Sequence, residues 1–243
     1  MYNISLHFNP SLQQRSVLTY TCSYDFLFSR QALTYEDGGT ALVESREICR
    51  HISERYAEQG NKALLGRGTL ERAAIEQWLQ AEQQTFDPPI ASLVFHLAFA
   101  PQPSYAEKEV QKEEARLSKV LDSYDRTLDK SRFLAGEEFT LADLSHLPNS
   151  HYLVNMTEKA YLFRERKNVW RWWEEISSRP SWKKVVRIQE EPPAMPLASD
   201  YWGCSLVSIL VVFSELLSVG SHSGLYLKSV YFHDSDALVV EPK

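Results

Sequence analysis

The sequence predicts an α+β protein that is mostly helical. One short hairpin signal lies near residue 37, and apolar stripes at helical spacing fill most of the chain after residue 69. In addition, Thr140 and Asp143 stand where the two partners of a capping box belong at a helix start. We therefore expect a small β-containing unit followed by a larger all-helical one.

The hairpin signal comes from two β-prone runs, Ala32–Tyr35 and Ala41–Val43, that flank Glu36–Gly39. Asp-Gly between short runs of this kind is a strong local indication of a β-hairpin. A helical stripe follows and Gly60 is placed to end it; the apolar positions of that stripe are Ile48, Ile52 and Tyr56.

Glu44 and Ser45 stand where the second strand ends and this helix begins. Free backbone N–H groups and the positive end of the helix dipole make such a place suited to a small carboxylate ligand. An alternative interpretation is that Ser45 only caps its helix. The spacing of the residues leaves both interpretations open.

Residues 60–68 form a predicted linker, and helices follow it. One predicted helix has an apolar face formed by Ile75, Trp78, Leu79, Ala81 and Phe86. Pro88 and Pro89 should break or kink this helix. A second, long helix has an apolar face formed by Val110, Leu117, Val120, Leu121, Tyr124 and Leu128. The charged run 107–116 is interpreted as its solvent face. A last helix places Val169, Trp172, Trp173 and Ile176 inside, before Pro180 and a short turn capped by Ser181.

The segment 139–144 predicts a helix start in detail. Thr140 is the expected N-cap and Asp143 the returning partner of the capping box, while Phe139 and Leu144 are placed for a hydrophobic staple. Asp143 could also be taken for a general base. We assign it a structural role, because the box satisfies helix donors that would otherwise be buried without partners.

Composition narrows the class of partners. A formal net charge of −6, without a basic tract, argues against nucleic acid. Three widely spaced cysteines favour a reducing compartment, and the histidines form no pattern typical of a metal site, so no metal is expected. The N-terminal ten residues lack the basic start and apolar run of a secretion signal. Residues 202–219 are largely apolar, which suggests either a membrane anchor or an unrelated extension; we favour the extension.

Several motifs carry a family resemblance over about residues 31–187. These motifs are Tyr35-Glu36-Asp37-Gly38, Leu42-Val43-Glu44-Ser45-Arg46, Leu64-Leu65-Gly66, Phe86-Asp87-Pro88-Pro89-Ile90, Phe133-Leu134-Ala135-Gly136 and Phe139-Thr140-Leu141-Ala142-Asp143. Together they resemble the glutathione S-transferases, and the plant phi class in particular. The resemblance implies a thioredoxin-like N-terminal domain at residues 1–59, a linker at 60–68 and an all-α domain at 69–190. Residues 191–243 fall outside the family pattern and are expected to be a poorly ordered tail.

The resemblance also implies an activity. A member of this family conjugates the thiolate of glutathione to hydrophobic electrophiles in detoxification, with glutathione as co-substrate and no further cofactor. It is expected to be a cytoplasmic homodimer that binds neither nucleic acid nor a membrane. The alternative is a transferase-like protein that has lost turnover and serves as a hydrophobic-ligand-binding or dimerisation module.

Site residues are carried over by position. Glu44 and Ser45 match the pair that holds the γ-glutamyl end of glutathione, and Gln31 and Ala32 match a segment that contacts its cysteinyl unit. The proline of that segment is absent here. Ser11 corresponds to the serine that hydrogen-bonds the glutathione sulfur. An electrophile site would be lined by Ile90, Phe95 and Phe99.

The N-terminal domain is expected to be truncated or rebuilt. Between Leu18 and Gln31 there is no room for the first helix, second strand and long loop of the family. A parallel crossover alone needs about a dozen residues or more. This shortage of residues is what supports the alternative of lost turnover.

Overall fold

The computed structural model describes residues 3–7, 16–21, 32–37, 39–59, 61–99, 106–190, 231–232 and 237–240. The chain forms two compact units. One comprises residues 1–60 together with 188–243, and the other comprises residues 61–187. Residues 61–68 of the predicted linker thus belong to the second unit. A backbone hydrogen bond of 2.9 Å from Leu141 N to the carbonyl of Leu64 attaches this segment to the helices.

The first unit contains a six-stranded sheet in the order β4-β3-β2-β1-β6-β5. All neighbouring strands are antiparallel except β1 and β6, which are parallel. The strands are β1 Asn3–His7, β2 Ser16–Thr21, β3 Ala32–Asp37, β4 Thr40–Val43, β5 Tyr231–Phe232 and β6 Ala237–Val240.

The predicted hairpin is confirmed as the β3–β4 pair. Tyr35 lies opposite Leu42, and Asp37 opposite Thr40 closes the ladder at the turn. Gly39 has a φ of 83° there, in the left-handed region that glycine enters without steric cost. The hairpin fixes the direction in which the chain leaves β4 and therefore where the next helix starts.

The remaining strands differ from what the sequence indicated. β1 and β2 are antiparallel, and only residues 8–15 separate them, which is fewer than a parallel crossover needs. β5 and β6 come from residues 191–243, which were expected to be a poorly ordered tail. Val239 and Val240 favour a strand, but their partner β1 stands at the opposite end of the chain, and local pattern does not reveal such a pairing.

Helix α1, Ser45–Arg55, follows β4 directly, and a short 3₁₀ turn, Ala57–Gln59, comes after it. Ile48 and Ile52, one helical turn apart, have no exposed surface, as the stripe predicted. Tyr35 from β3 is equally buried. These apolar side chains hold α1 in place and so position its first residues.

In its described residues the second unit contains helices and, apart from an isolated bridge between Phe133 and Gly136, no β-structure. Its core is formed by side chains with at most 2% exposure that include Ile75, Leu79, Phe86, Leu93, Leu117, Leu121, Leu144, Leu153, Phe163, Val169, Trp172 and Ile176. The helices are α2 Thr69–Ala81, α3 Asp87–Val94, α4 Ala106–Leu128, α5 Leu141–Leu144, α6 Leu147–Met156, α7 Tyr161–Arg164, α8 Lys167–Ser177 and α9 Pro180–Glu190.

At Pro88 and Pro89 the regular α-helix is interrupted, as predicted, but the helical stretch as a whole is not. Residues 69–99 run as one continuous helical stretch, in which a π-helical turn, Glu82–Phe86, joins α2 to α3. Both prolines fall in the first turn of α3. In the π-helical turn before them, backbone hydrogen bonds join residues five apart instead of four apart. A proline lacks the N–H and crowds the carbonyl four residues back, and a π-turn accommodates that defect.

The chain after Pro180 also differs from the expected short turn. It forms α9, a helix of 11 residues that begins at Pro180. Proline is tolerated in a first helical turn because the N–H it lacks has no partner there in any case. Trp182 and Val185, three residues apart, are 2% and 1% exposed and bury one face of α9.

Polar contacts lock α8 against α4. Asp125 Oδ1 accepts from the backbone N–H groups of Asn168 and Val169, at 2.8 and 3.2 Å, and thereby satisfies the start of α8. Arg171 donates to the carbonyl of Leu128, the last residue of α4, and to that of Ser131 just after it, at 2.9 and 3.1 Å. Each helix therefore satisfies an end of the other.

The charged run 107–116 lies on α4 and mostly faces solvent, as predicted. Glu113 is an exception, with 4% exposure. Its carboxylate accepts from Arg116 over 2.7 Å, so the buried charge is paired. None of the helices in the described part of the chain is both long and apolar enough to cross a bilayer, and residues 202–219 lie outside that part.

Candidate functional site

The junction between β4 and α1 contains a strained residue. Glu44 has φ 73° and ψ 114°, and it is the single non-glycine residue with a positive φ in the described ranges. Such a conformation costs about 1–3 kcal/mol and persists only where the surroundings impose it. Here Val43 is still paired to Thr34, and Glu44 O already accepts from Ile48 N over 3.0 Å, so the chain must reverse direction within one residue.

Glu44, and not Ser45, is the N-cap of α1, and its side chain makes no capping hydrogen bond. Ser45 is the first helical residue. The interpretation of Ser45 as a cap is therefore wrong, because a hydroxyl one position further on lies inside the helix. The N-cap therefore lies one residue earlier, at Glu44, than the interpretation of Ser45 as a cap required.

The side chains of Glu44 and Ser45 are available to a ligand. Glu44 is exposed and Ser45 is half-buried. Within the part of the chain that the structure describes, neither side chain has a hydrogen-bond or ion-pair partner. Glu47, in the same helical turn, is by contrast paired with Arg50. A carboxylate and a hydroxyl thus meet at an uncapped helix N-terminus.

This arrangement suits a small zwitterion. The helix N-terminus and the Ser45 hydroxyl can hold a carboxylate, since both present donors to an anion. The Glu44 carboxylate complements an ammonium group placed beside it. An α-amino acid end carries an anionic and a cationic group on one carbon and so offers a partner of opposite charge or hydrogen-bonding type to each.

The buried thiol of α1 is not a nucleophile. Burial raises the pKa of Cys49 to about 12, while the nearby charges of Arg46 and Arg50 lower it by less. The side chain is 3% exposed. At neutral pH it is therefore a protonated thiol out of reach of a substrate, and any thiolate chemistry at this junction needs a sulfur from the ligand.

The structure says less about the other residues predicted to take part in glutathione binding and catalysis. Ser11 and Gln31 lie outside the described residues, and their assignments stay predictions. Ala32 is the first residue of β3, where it is paired with Thr21 of β2. The structure therefore brings together Glu44 and Ser45 from the predicted set.

The three residues predicted for the electrophile site divide by exposure. Ile90 is 0% exposed and belongs to the helical core, so it is not accessible to a substrate. Phe95 and Phe99 are 55% and 48% exposed, and they begin and end a second π-helical turn, Phe95–Phe99. The ring of Phe99 meets that of Tyr152 edge-on, with 5.2 Å between centroids. Sequence reasoning missed Tyr152, because nothing local links residues of α6 to the end of the α3 stretch.

Asp143 has the structural role that the sequence assigned. It is fully buried, and its Oδ1 accepts from Leu134 N and Trp172 Nε1, over 3.0 and 2.9 Å. Its Oδ2 accepts from the N–H and hydroxyl of Thr140, over 3.0 and 3.3 Å. Burial raises the pKa of Asp143 and these hydrogen bonds oppose that rise. A carboxylate with every oxygen engaged and no exposed surface is not a general base for a substrate.

Comparison with known proteins identifies the family. Residues 86–180 match the family described as "Glutathione S-transferase, C-terminal domain". Over 152 residues the chain is 43% identical to glutathione S-transferase F9 of Arabidopsis thaliana, a match that covers 62% of this chain and 70% of that protein. The chain belongs to the glutathione S-transferase family. The resemblance to the plant phi class is thereby confirmed.

Solved structures of other family members agree with this transferase in fold. Glutathione transferase F2 from Populus trichocarpa superposes with a TM-score of 0.63 at 52% identity, over 66% of this chain and 75% of that one. Glutathione S-transferase I from mais, solved in complex with an atrazine glutathione conjugate, gives a TM-score of 0.60 at 29% identity, over 66% and 75% of the two chains. The family match at residues 86–180 lies within the part of the chain that the sequence motifs indicated.

Proposed function

We propose that this family member conjugates glutathione to hydrophobic electrophiles. The observation that carries the proposal is the β4–α1 junction, where Glu44 is held at a positive φ and the side chains of Glu44 and Ser45 have no partner among the described residues. Strain of this kind is retained where it serves a site. The relatives named above are glutathione S-transferases, and one of them was solved with a glutathione conjugate.

In this proposal the γ-glutamyl end of glutathione is held at the junction. Its α-carboxylate accepts from the Ser45 hydroxyl and the start of α1, and its α-ammonium faces Glu44. Ser11 supplies the hydroxyl that stabilises the glutathione thiolate, and Gln31 and Ala32 contact the cysteinyl unit. The sulfur comes from the ligand, since Cys49 is a buried thiol with a raised pKa.

The reaction is a nucleophilic substitution or addition at carbon. With 1-chloro-2,4-dinitrobenzene as electrophile, the thiolate forms an S–C bond at the chlorine-bearing carbon, chloride leaves with the C–Cl electron pair, and the thiol proton goes to solvent. Phe95 and Phe99 offer exposed aromatic surface for an apolar electrophile. Burying that surface favours apolar electrophiles over polar ones.

The finer attributes of the family are part of the same proposal. We infer a cytoplasmic detoxification enzyme that acts as a homodimer, requires no metal or organic cofactor and has no nucleic-acid or membrane partner. A reducing compartment suits a chain with a free buried cysteine such as Cys49. Light scattering on the purified full chain gives its mass in solution and tests the dimer.

Calorimetric titration of the full-length protein with glutathione tests the binding part. Ser45→Ala should weaken binding roughly tenfold or more, since a hydrogen bond to a charged group is worth about 1.5–3 kcal/mol. Ser123→Ala, on an exposed position of α4, is the matched control and should bind like the wild type. Wild-type protein that shows no heat of binding would overturn the proposal. Binding without turnover would support the ligand-binding alternative instead.

A further inference from the structure

Two buried polar side chains of the helical unit have no role in the proposed reaction. Tyr124 lies on α4 and His146 lies between α5 and α6, and they are 3% and 0% exposed. The Tyr124 hydroxyl is 3.0 Å from Nε2 of His146. Nδ1 of His146 is 2.7 Å from the carbonyl oxygen of Ala142 in α5. A continuous polar path therefore runs from α4 through the imidazole ring to α5.

The hydrogen-bond network assigns the proton of the His146 ring to Nδ1. A carbonyl oxygen can only accept, so the short contact with Ala142 requires a proton on that nitrogen. Ser145 Oγ lies 3.3 Å from Nδ1, but it donates to the same carbonyl over 3.0 Å and leaves the assignment unchanged. Nε2 then accepts from the Tyr124 hydroxyl, which has no second acceptor in the part of the chain that the structure describes. His146 is therefore neutral in this arrangement.

Aromatic rings surround this pair. Phe86 ends the π-helical turn before α3, and its ring centroid lies 4.5 Å from that of His146 and 5.7 Å from that of Tyr124. Trp78 meets Tyr124 edge-on at 5.1 Å, and Trp172 meets His146 edge-on at 5.5 Å. Because His146 has no exposed surface, a second proton would place a positive charge in an apolar environment, which burial disfavours.

Two buried carboxylates in the neighbouring elements act against that effect of burial. Asp143 of α5 already accepts hydrogen bonds from three other residues. Glu82, which is 2% exposed, begins the π-helical turn. Burial, and then the charge of Glu82, raise the pKa of Tyr124 above its ordinary value, so its hydroxyl remains a donor. A second proton on His146 would turn Nε2 into a donor that faces this hydroxyl, and the lost hydrogen bond adds to the cost of burial.

We propose that Tyr124 and His146 form an acid-sensitive lock of the helical unit, in which protonation of Nε2 of His146 breaks the hydrogen bond to Tyr124 and releases α4 from α5. The folded protein excludes this proton, whereas a histidine in the unfolded chain binds it with a pKa of about 6.5. The stabilisation is therefore complete above that pH and is lost as the pH falls below it. Each pH unit below about 6.5 should raise the unfolding equilibrium constant up to tenfold through this one group.

Urea denaturation of the full-length protein between about pH 7.5 and about pH 5 tests the lock. Tryptophan fluorescence reports mainly on the helical unit, which contains five of the six tryptophans. In His146→Gln the side chain keeps one donor and one acceptor but does not titrate, so the variant should lose the tenfold change per pH unit. His151→Gln, at a half-buried histidine of α6, is the matched control and should keep the pH dependence of the wild type.

Nuclear magnetic resonance of the wild type with ¹⁵N-labelled histidine gives a second measurement, which decides the matter if His146→Gln does not fold. The His146 ring, assigned through its contacts with Phe86 and Trp172, should stay neutral with the proton on Nδ1 at every pH at which the protein is folded. A doubly protonated ring in the folded protein would overturn the proposal. So would an equal pH dependence of unfolding in wild type and folded His146→Gln, or a wild type that gains stability over this variant as the pH falls.

Discussion

Trp172 donates its indole N–H to Asp143 over 2.9 Å, and so the centre of α8 is bonded to the capping residue of α5. Both side chains are fully buried. Asp143 thus accepts hydrogen bonds from the start of its own helix, from the backbone of Leu134 and from a fully buried tryptophan ring. The capping box is therefore a junction of the helical unit as well as a local signal.

Because Asp143 has these additional partners, it should contribute more to the stability of the helical unit than Thr140 does. Thr140→Ala should lower the free energy of unfolding of the helical unit by about 0.5–2 kcal/mol, the usual loss for a cap. Asp143→Ala should lower it by about 3 kcal/mol or more, because it leaves several buried donors without acceptors. Urea denaturation followed by tryptophan fluorescence measures both. The ratio of turnover to folded protein should stay near that of the wild type, and a selective loss of turnover in folded Asp143→Ala would assign Asp143 a chemical role.

The strain at Glu44 can be separated from the function of its carboxylate. Glu44→Gly and Glu44→Ala both remove the carboxylate, but the glycine alone adopts a φ of 73° without steric cost. We expect Glu44→Gly to be more stable than Glu44→Ala by about 1 kcal/mol, while the two lose glutathione affinity to the same extent. Thermal melts and glutathione titrations measure these effects. Equal stability of the two variants would show that the positive φ stores no strain.

Cys49 should resist modification in the folded protein. Its thiol has a pKa raised to about 12 by burial, so the reactive thiolate is scarce at neutral and mildly alkaline pH and increases as the pH approaches that value. Iodoacetamide should leave the peptide that contains Cys49 unmodified in native protein and should alkylate it fully in guanidinium. Mass spectrometry of the digested protein reads both states. Rapid labelling in native buffer would mean that α1 opens readily or that the thiol is exposed.

The last residues of the chain should matter to the sheet and not to the helices. Deletion of residues 191–243 removes β5 and β6 and uncovers the edge of β1. We expect the helical unit to keep its melting temperature, while the β unit is destabilised and the protein becomes more prone to aggregate. Hydrogen exchange monitored by mass spectrometry resolves the two units. Increased exchange in α6 or α8 after the deletion would place the tail in the helical core.

The local parts of this fold could be predicted from the sequence. The β3–β4 hairpin, the stripe of α1 and the helix start at Thr140 are all encoded by neighbours within a few residues, and the structure has them. The pairing of β1 with β6 could not be foreseen, since it joins opposite ends of the chain. The π-turn before Pro88 could not be predicted either, because the spacing of apolar residues was compared only with the period of a regular α-helix.

The candidate site was predictable to a similar degree. Residue order and family resemblance pointed to Glu44 and Ser45, but neither shows that Glu44 is the N-cap or that its φ is positive, because β4 and α1 together impose that conformation. Phe95 and Phe99 were predicted together with Ile90 to line an electrophile site. All three are apolar, so the sequence alone does not separate the buried Ile90 from the two exposed rings.

Turnover by the full-length protein is the most direct test of the proposed activity. Formation of the conjugate of glutathione with 1-chloro-2,4-dinitrobenzene is followed by absorbance in wild type, Glu44→Gln and Glu47→Gln. The account predicts a wild-type rate well above the uncatalysed reaction. It also predicts a kcat/KM for glutathione that falls roughly tenfold in Glu44→Gln and stays unchanged in Glu47→Gln, whose carboxylate is paired with Arg50. A wild-type rate equal to the uncatalysed one, or equal losses in the two variants, would contradict it.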